Sequence, residues 1–214
     1  MKDLPLLFTQ SMMLANLGNR KWKTRRTRGL EAINVTPGLW ELKPGDCYGP
    51  VWMFASTYSA LRMQVKCPYG VVTPGRTMWA REQWAVSPTL NHVKPIELEP
   101  GTRVFYKASY PNGTHLMWRQ SLHMPRWASR FERELVSIRI EPLREITGAD
   151  AIAEGVELVE SRSSAWAYQI PGDPTGAIYD TAIEAYRALW ETINGEGSWA
   201  LNPWVWVIEY QRGE

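Results

Sequence analysis

Residues 20–28 hold the reactive side chains that stand closest together in this chain. Six of these nine residues are basic, and Thr24 follows Lys21 by three positions. Neighbouring cations and burial both disfavour the charged form of an amine, so Lys21 is a candidate general base. A threonine hydroxyl within reach of such a base is a candidate nucleophile, which directs attention to Thr24. The same group of cations would also suit the binding of phosphate groups.

The overall composition is that of an ordinary globular protein. The chain has 214 residues, 44% hydrophobic and 21% charged, and we interpret residues 1–214 as a single domain. The formal net charge is only +2, so affinity for nucleic acid would have to come from a local patch of cations. No secretory signal peptide and no apolar run of membrane-spanning length is visible. We therefore predict a cytoplasmic protein that has no membrane partner.

The cysteines and histidines do not predict a metal site. Two cysteines are too few for a disulfide framework, and Cys47 and Cys67 are most simply two buried thiols. Together with two of the three histidines they would supply four zinc ligands, but their spacing matches no zinc motif. We expect neither a metal nor another cofactor.

A helix end and a strand are predicted to position the basic segment. Leu4–Phe8 is predicted to be a short strand, and Thr9 or Ser11 is predicted to cap the helix that follows. Gly18 and Asn19 tolerate the left-handed backbone conformation that ends a helix. The basic segment therefore leaves a helix end and enters a strand, a junction where functional sites are commonly built.

Further along the chain, alternating polarity and turn residues predict short strands and two more helices. Strands are predicted at residues 51–57, 61–66, 77–82, 103–109, 130–140 and 204–210, with a hairpin turn at 111–114. The helices are predicted to begin after caps at Thr147 and Asp180. Loops are predicted at residues 36–50, 86–101 and 161–177. Many short strands with three modest helices predict an α+β domain built on a compact barrel or a strongly curved sheet.

Several stretches of the chain resemble segments of one protein family. They are the pattern Arg-Lys-x-x-Thr-x-Arg at residues 20–26, the turn and strand at 74–79, the acidic helix at 150–155 and the closing helix and strand at 193–210. These stretches resemble the ASCH domain, a small β-barrel fold related to the PUA RNA-binding domain. Residues 79–84, 121–130 and 202–209 are similar to phage-associated members. The resemblance implies a PUA-like barrel with a few short helices and with insertions at about residues 27–70 and 85–130.

The catalytic branch that the chain resembles is that of the bacterial N4-acetylcytidine amidohydrolases. The resemblance implies that their lysine, threonine and glutamate fall on Lys21, Thr24 and Glu154, and that the substrate is an N4-acylated cytosine nucleoside. Thr24 would attack the carbonyl carbon or orient a water molecule, and neutral Lys21 would take the proton. Glu154 would pass a proton toward the departing nitrogen and hold Lys21 in place. The chain departs from the family at Asn19, where glycine is usual, and at Arg76, where aspartate is usual.

Five further side chains are predicted to contact the substrate: Arg26, Glu82, Trp79, His123 and Arg126. Arg26 would line the pocket or contact ribose or phosphate. Glu82 would accept a hydrogen bond from a cytosine amino group, although a salt bridge to Arg81 or Arg26 would explain it equally well. His123 and Arg126 would close one side of the pocket, although loop packing would also explain them. The tryptophans that suit base stacking are Trp22, Trp79, Trp84 and Trp127.

Two other functions stay open at this point. The first is an RNA- or DNA-binding ASCH module, with weak nuclease activity, in which residues 20–28 contact phosphates. The second is an accessory protein whose site has decayed.

If the chain is a hydrolase, backbone N–H groups near the turn at Gly18 and Asn19 are candidates to stabilise the oxyanion.

Overall fold

The computed structural model describes residues 3–160 and 166–213. These residues form a mixed structure of helices and strands, which confirms the predicted α+β class. The strands are β1 (Leu4–Leu7), β2 (Lys23–Arg26), β3 (Trp40–Leu42), β4 (Val51–Ser56), β5 (Arg62–Lys66), β6 (Thr77–Arg81), β7 (Trp84–Ala85), β8 (Phe105–Tyr106), β9 (Glu132–Pro142), β10 (Glu157–Val159), β11 (Ala167–Gln169), β12 (Ile178–Tyr179) and β13 (Trp204–Tyr210). The α-helices are α1 (Gln10–Leu17), α2 (Glu31–Asn34), α3 (Gly148–Ala153) and α4 (Ala182–Asn194).

A five-stranded sheet with the order β1-β6-β9-β13-β2 forms the centre of the fold. β1 runs parallel to β6, and the other neighbours are antiparallel. β13 lies between β9 and β2, and its residues 205–208 are fully buried, which agrees with its continuous apolar run. Ile208 pairs with Thr24, so the register sets the candidate nucleophile against the most buried strand of the sheet.

The two ends of this sheet curl toward each other. β1 and β2 are its edge strands, yet both line one cavity. Arg26 Nη2 on β2 donates a hydrogen bond of 2.6 Å to the main-chain oxygen of Leu7 on β1. The sheet is therefore strongly curved, as the sequence suggests. In the described part of the chain it stays open between its edge strands, and no sheet there closes into a barrel.

Three smaller sheets accompany the large one, with the orders β3-β4-β5, β7-β8 and β10-β11-β12. Phe54 on β4 and Val65 on β5 belong to the main core, so much of the region 27–70 packs onto the central sheet. The region 85–130 has an apolar cluster of its own. Its buried members are Trp84, Val86, Leu98, Met124 and Ala128. The two regions that the resemblance marks as insertions are thus stabilised in different ways.

Hydrogen-bonding caps define the starts of α1, α3 and α4. Thr9 caps α1, since its Oγ1 accepts from the Met12 N–H at 3.4 Å, and Thr147 caps α3 in the same manner. α4 begins one residue later than predicted, because Thr181 and not Asp180 is the cap. The Thr181 hydroxyl accepts from the Glu184 N–H, and the Glu184 carboxylate accepts from the Thr181 N–H, a reciprocal pair that favours this start.

The strand predicted at residues 103–109 is reduced to the two residues of β8. The Tyr106 main-chain oxygen accepts hydrogen bonds from the N–H groups of residues 109 and 110, so the chain turns directly after β8. β8 pairs with β7, which precedes it. The turn at 111–114 therefore does not join the two strands of a hairpin as predicted.

Two stretches predicted as loops contain short strands. β3 lies within residues 36–50 and pairs with β4, and β11 lies within residues 161–177 and pairs with β10. Strands of three residues are too short to show alternating polarity, so their pairing is not visible in the sequence. Residues 161–165 of the second stretch lie outside the described residues.

The sequence composition also led to predictions about membranes and metals. Among residues 3–160 and 166–213, none of the helices has the length and apolar character needed to cross a membrane. Cys67 is buried in the main core, and the Cys47 thiol donates to the Lys43 main-chain oxygen at 3.4 Å. The same described residues contain no cluster of three or more His, Cys, Asp or Glu side chains that could hold a metal ion.

Candidate active site

A cavity of about 320 Å³ lies between the edge strands β1 and β2. The two strands form two of its walls, and α4 forms a third. Lys21, Thr24 and Glu154 all line this cavity, although Glu154 is far from the other two in the chain. The structure thus brings together the three residues that the sequence suggests as a triad.

The ammonium group of Lys21 makes two hydrogen bonds to a single residue. Its Nζ donates to Glu154 Oε2 at 2.7 Å and to the Glu154 main-chain oxygen at 2.9 Å. Only 3% of the Lys21 side chain and 4% of the Glu154 side chain are exposed. A buried pair joined in this way has little freedom to change its geometry, so Lys21 is held in a defined position.

The end of α3 places Glu154 beside Lys21. Glu154 is the last residue before the chain turns at Gly155, which has a φ of 105°. A Cβ atom at position 155 would lie only 3.2 Å from the Ala15 Cβ, so the backbone conformation and this close approach both favour glycine. The Trp22 N–H donates to the Ala153 main-chain oxygen at 2.9 Å, which ties the residue after Lys21 to the same helix end.

Arg25 is a residue of this site that the sequence interpretation missed. Its side chain has no exposed surface, and Nη1 donates to Glu154 Oε1 at 3.2 Å. Nη2 donates to Glu141 Oε1 at 2.7 Å and lies 3.4 Å from Asp150 Oδ2. Glu154 is therefore shared between Arg25 and Lys21. The signal available in the sequence was strand alternation, because it puts Arg25 on the same face of β2 as Lys23. Both of these cations lie close to Asp150.

Burial lowers the pKa of the Lys21 ammonium, because a site with little water disfavours the charged amine. The Glu154 carboxylate opposes this effect, and the guanidinium groups of Arg26 and Arg25 add to it. The lowering of the Lys21 pKa prevails because burial is the largest of these effects. A lysine in this environment is better suited to take a proton than an exposed one.

Thr24 and Arg26 are two residues apart on β2, and both line the cavity. Thr24 is buried, with 4% of its surface exposed. The Arg26 guanidinium lies 5.3 Å from the centroid of the Phe8 ring, in addition to its hydrogen bond to Leu7. Arg26 thus spans the gap between the two edge strands, which agrees with its predicted place at the pocket.

Aromatic side chains form much of the remaining wall: Phe8, Tyr69, Tyr186 and Trp190. Tyr186 and Trp190 are four residues apart on α4 and therefore lie on the same face of the helix. Tyr69 comes from the region 27–70. The sequence interpretation assigned Tyr186 and Trp190 to an apolar helix face but did not connect that face with the site. A cavity with several aromatic rings suits a planar heterocyclic ligand.

Most cations of the basic segment are paired with carboxylates. Lys23 Nζ donates to Asp150 Oδ1 at 2.8 Å, and Arg20 forms an ion pair with Glu157. With Lys21 and Arg25, this makes four of the six cations ion-paired. Arg28 lines the cavity and is exposed. The segment is largely neutralised by acidic residues, which does not favour a broad phosphate-binding surface.

Glu82 and Trp79 lie outside the cavity. Glu82 is buried, and its two oxygens accept hydrogen bonds of 2.8 and 2.9 Å from Arg130. Burial raises the pKa of Glu82, and the Arg130 contact opposes this effect. Glu82 thus forms a salt bridge, as the alternative predicted, but its partner is Arg130 and not Arg81 or Arg26. The Trp79 ring lies 4.8 Å from the Arg81 guanidinium and 5.5 Å from that of Arg126, so both neighbours already cover it.

His123 and Arg126 do not close the cavity. His123 is exposed in a single 3-10 turn, and Arg126 forms ion pairs with Asp3 and Glu132. Both residues belong to the loop region 85–130, so loop packing describes them better than a contact with substrate.

The other tryptophans proposed for base stacking also lie away from the cavity. Trp84 is fully buried in the apolar cluster of the region 85–130, and Trp127 packs against that cluster. Trp22 packs against the main core, and its ring lies 4.5 Å from the Arg212 guanidinium. The ring walls of the cavity are supplied by the tyrosines and by Trp190 instead.

The backbone donors predicted near Gly18 and Asn19 are already in use. The N–H groups of residues 18–21 donate to main-chain oxygens of residues 14–16 at 2.9 to 3.3 Å. These hydrogen bonds complete the C-terminal end of α1. The prediction that this turn supplies oxyanion donors is therefore wrong.

Comparisons with known proteins do not assign this site. No family model matches the chain, and neither the curated proteins nor the solved structures provide a match.

Proposed function

We propose that this protein is an amidohydrolase that removes the acyl group from N4-acylated cytosine nucleosides, with Lys21, Thr24 and Glu154 as its catalytic residues. The observation that carries this proposal is that the three residues line one cavity, with Lys21 hydrogen-bonded to Glu154. The curled sheet with facing edge strands also supports the finer fold assignment, a PUA-like barrel with two insertions.

In the proposed reaction the acyl carbon exchanges its bond to nitrogen for a bond to oxygen. Neutral Lys21 takes the hydroxyl proton while Thr24 Oγ1 bonds to the carbonyl carbon, and the carbonyl π electrons move onto the carbonyl oxygen. When the C–N bond breaks, the departing nitrogen takes the proton and leaves as the cytosine amino group. Water then attacks the threonine ester with Lys21 again as base, which releases the carboxylic acid and restores Thr24.

Glu154 has three roles in this scheme. Its hydrogen bond to Lys21 Nζ directs the amine, and its carboxylate stabilises the ammonium that forms when the proton arrives. Arg25 Nη1 also donates to this carboxylate, which holds it beside Lys21 before substrate binds. In the third role, Glu154 Oε2 relays the proton from Lys21 Nζ, to which it is hydrogen-bonded, toward the leaving nitrogen.

The cavity suits a nucleoside in size and in lining. Its volume of about 320 Å³ falls at the lower end of the range usual for small-molecule sites. Aromatic rings from Phe8, from α4 and from the region 27–70 would contact the faces of a pyrimidine. Thr24 and Lys21 stand in the same wall as Arg26, so polar and apolar contacts are available in one cavity.

A nucleic-acid-binding function is the competing candidate. It depends on the cations of residues 20–28, of which four are ion-paired with carboxylates. Removing those cations from their carboxylates to bind phosphate would leave buried acidic groups unpaired. The ion pairs therefore favour the hydrolase over the binding module.

One assay separates the two functions. The protein is incubated with N4-acetylcytidine, and cytidine is measured by chromatography, for the wild type and for Thr24→Val. Release of cytidine by the wild type and its loss in Thr24→Val would support the hydrolase. Absence of turnover by the wild type, with binding of a short RNA that weakens steeply as salt rises, would overturn it in favour of the binding module.

A further inference from the structure

Among the strands of residues 3–160 and 166–213, β1 has a neighbour on one side only. It is the first strand of the sheet order β1-β6-β9-β13-β2, so its other edge faces the cavity. Main-chain groups on that edge are not used by the sheet. They are therefore available to a ligand in the cavity, as unpaired strand edges commonly are.

The direction of each residue along β1 follows from one hydrogen bond. The Phe8 N–H donates to the Arg81 main-chain oxygen on β6 at 3.0 Å, so the main chain of Phe8 faces β6. The N–H and C=O of one residue in a parallel pair point to the same side, and successive residues alternate. Leu7 must therefore direct its N–H and C=O away from β6. Its carbonyl does so, because it accepts the hydrogen bond from Arg26 across the gap.

The Leu7 N–H thus lies on the cavity side of the edge strand, next to a guanidinium group. Leu7 lines the same cavity as Thr24, Lys21 and Glu154. The turn at residues 18–21 has no backbone donor left for an oxyanion, as described above. A backbone N–H at a fixed strand edge, with a cation beside it, is the kind of donor that stabilises developing negative charge.

We propose that the main-chain N–H of Leu7 binds the acyl carbonyl oxygen of the substrate and stabilises the oxyanion. This inference rests on the proposed amidohydrolase function. When Thr24 Oγ1 bonds to the carbonyl carbon, the π electrons move to this oxygen, and the hydrogen bond from Leu7 strengthens. Arg26, held at the Leu7 carbonyl, adds positive charge beside the donor. The ligand chemistry is an amide carbonyl that becomes a tetrahedral oxyanion.

The test compares Leu7→Pro with Leu7→Ala. Proline removes only the N–H that the sheet does not use, and such positions on edge strands tolerate proline. Alanine trims the side chain but keeps the N–H. Leu7→Ala serves as the reference for the lost side chain, and we expect kcat for N4-acetylcytidine to be about 100-fold or more lower in Leu7→Pro than in Leu7→Ala, because the loss of one oxyanion donor typically costs 100- to 1,000-fold.

A second variant removes the N–H without the proline ring. Synthetic residues 1–46 with an ester in place of the amide at Leu7 are ligated to residues 47–214 through the natural Cys47. If a folded Leu7→Pro or ester protein turns over substrate as fast as Leu7→Ala, the role of the Leu7 N–H is overturned while the hydrolase stands. If the wild type shows no turnover, the proposed function itself fails.

Discussion

Lys21 and Glu154, which are 133 residues apart in the chain, are joined by two hydrogen bonds from one ammonium group. One bond goes to the carboxylate and the other to the main-chain oxygen at the end of α3. The second bond does not depend on the Glu154 side chain. The backbone therefore positions Lys21, whereas the carboxylate stabilises its charged form. Mutation of the side chain can separate positioning from charge stabilisation.

Replacing Thr24 by valine should abolish most of the turnover without loss of the fold. Valine keeps the shape of threonine but has no hydroxyl, so the nucleophile is removed while packing against Ile208 remains. We expect kcat to fall at least about 100-fold, in line with the contribution of such groups. Thr27→Val is the matched control, since Thr27 lines the same cavity, and it should retain turnover. Equal losses in the two variants would remove Thr24 from the mechanism.

Replacing Glu154 by glutamine should reduce both turnover and stability. The change leaves Lys21 and Arg25 buried without the carboxylate that they share. Removing one member of a buried ion pair typically costs about 3 kcal/mol or more in the free energy of unfolding, which urea denaturation would measure. Glu145→Gln, at an exposed turn, should change that free energy by less than about 0.5 kcal/mol. A Glu154→Gln protein as active as the wild type would contradict its proposed role.

The turnover should rise with pH as Lys21 loses its proton, at lower pH than for an exposed lysine, since burial lowers its pKa. Arg25→Gln removes a cation that lowers the pKa of Lys21 and frees Glu154 to stabilise the ammonium. Both changes raise the pKa of Lys21, so the acid side of the kcat profile should move to higher pH.

The other groups near Lys21 and Glu154 do not reverse the direction of this shift in the Lys21 pKa. Arg26 is present in both proteins, and burial keeps Tyr186 neutral by raising its pKa well above the usual value. Arg25→Lys preserves the charge and should bring the profile back toward that of the wild type. A purely structural role for Arg25 would lower kcat without moving the profile, and that result would contradict the prediction.

Asp150 should contribute stability that is lost in acid. Burial alone would raise the pKa of Asp150, but the hydrogen bond from Lys23 and the charge of Arg25 outweigh it and lower this pKa from 3.8 to about 2. A carboxylate with a depressed pKa stabilises the fold above pH 3.8, and this stabilisation disappears as the pH falls through about 2. The difference in unfolding free energy between the wild type and Asp150→Asn should therefore shrink over this interval. Asp180→Asn, at an exposed bend, should show no such change.

Local signals in the sequence were sufficient for the elements around the site. The caps at Thr9 and Thr147 could be predicted because a cap depends on residues within one turn. The apolar run of β13 indicated its buried place. The start of α4 was misplaced by one residue, although the pairing of Thr181 with Glu184 is visible in the sequence as a capping box.

The pairing of charges across the fold could not be predicted in this way. Arg25 resembled one more surface cation, and its burial depends on Glu141, which is 116 residues away. The same limit applies to Glu82. Its carboxylate would suit a cytosine amino group, but it accepts hydrogen bonds from Arg130, 48 residues further along the chain. No local pattern in the sequence indicates which cation pairs with which carboxylate, because these pairs depend on the order of the strands in the sheet. That order is set by long-range packing.

The position of β2 in the sheet has a consequence for how the protein is made. Its only neighbour in the described sheet is β13, and Trp206 there pairs with Arg26. A nascent chain on the ribosome therefore carries Thr24 long before it has the strand with which β2 pairs. β2 forms one wall of the cavity, and it cannot take its place in the sheet until β13 has been synthesised.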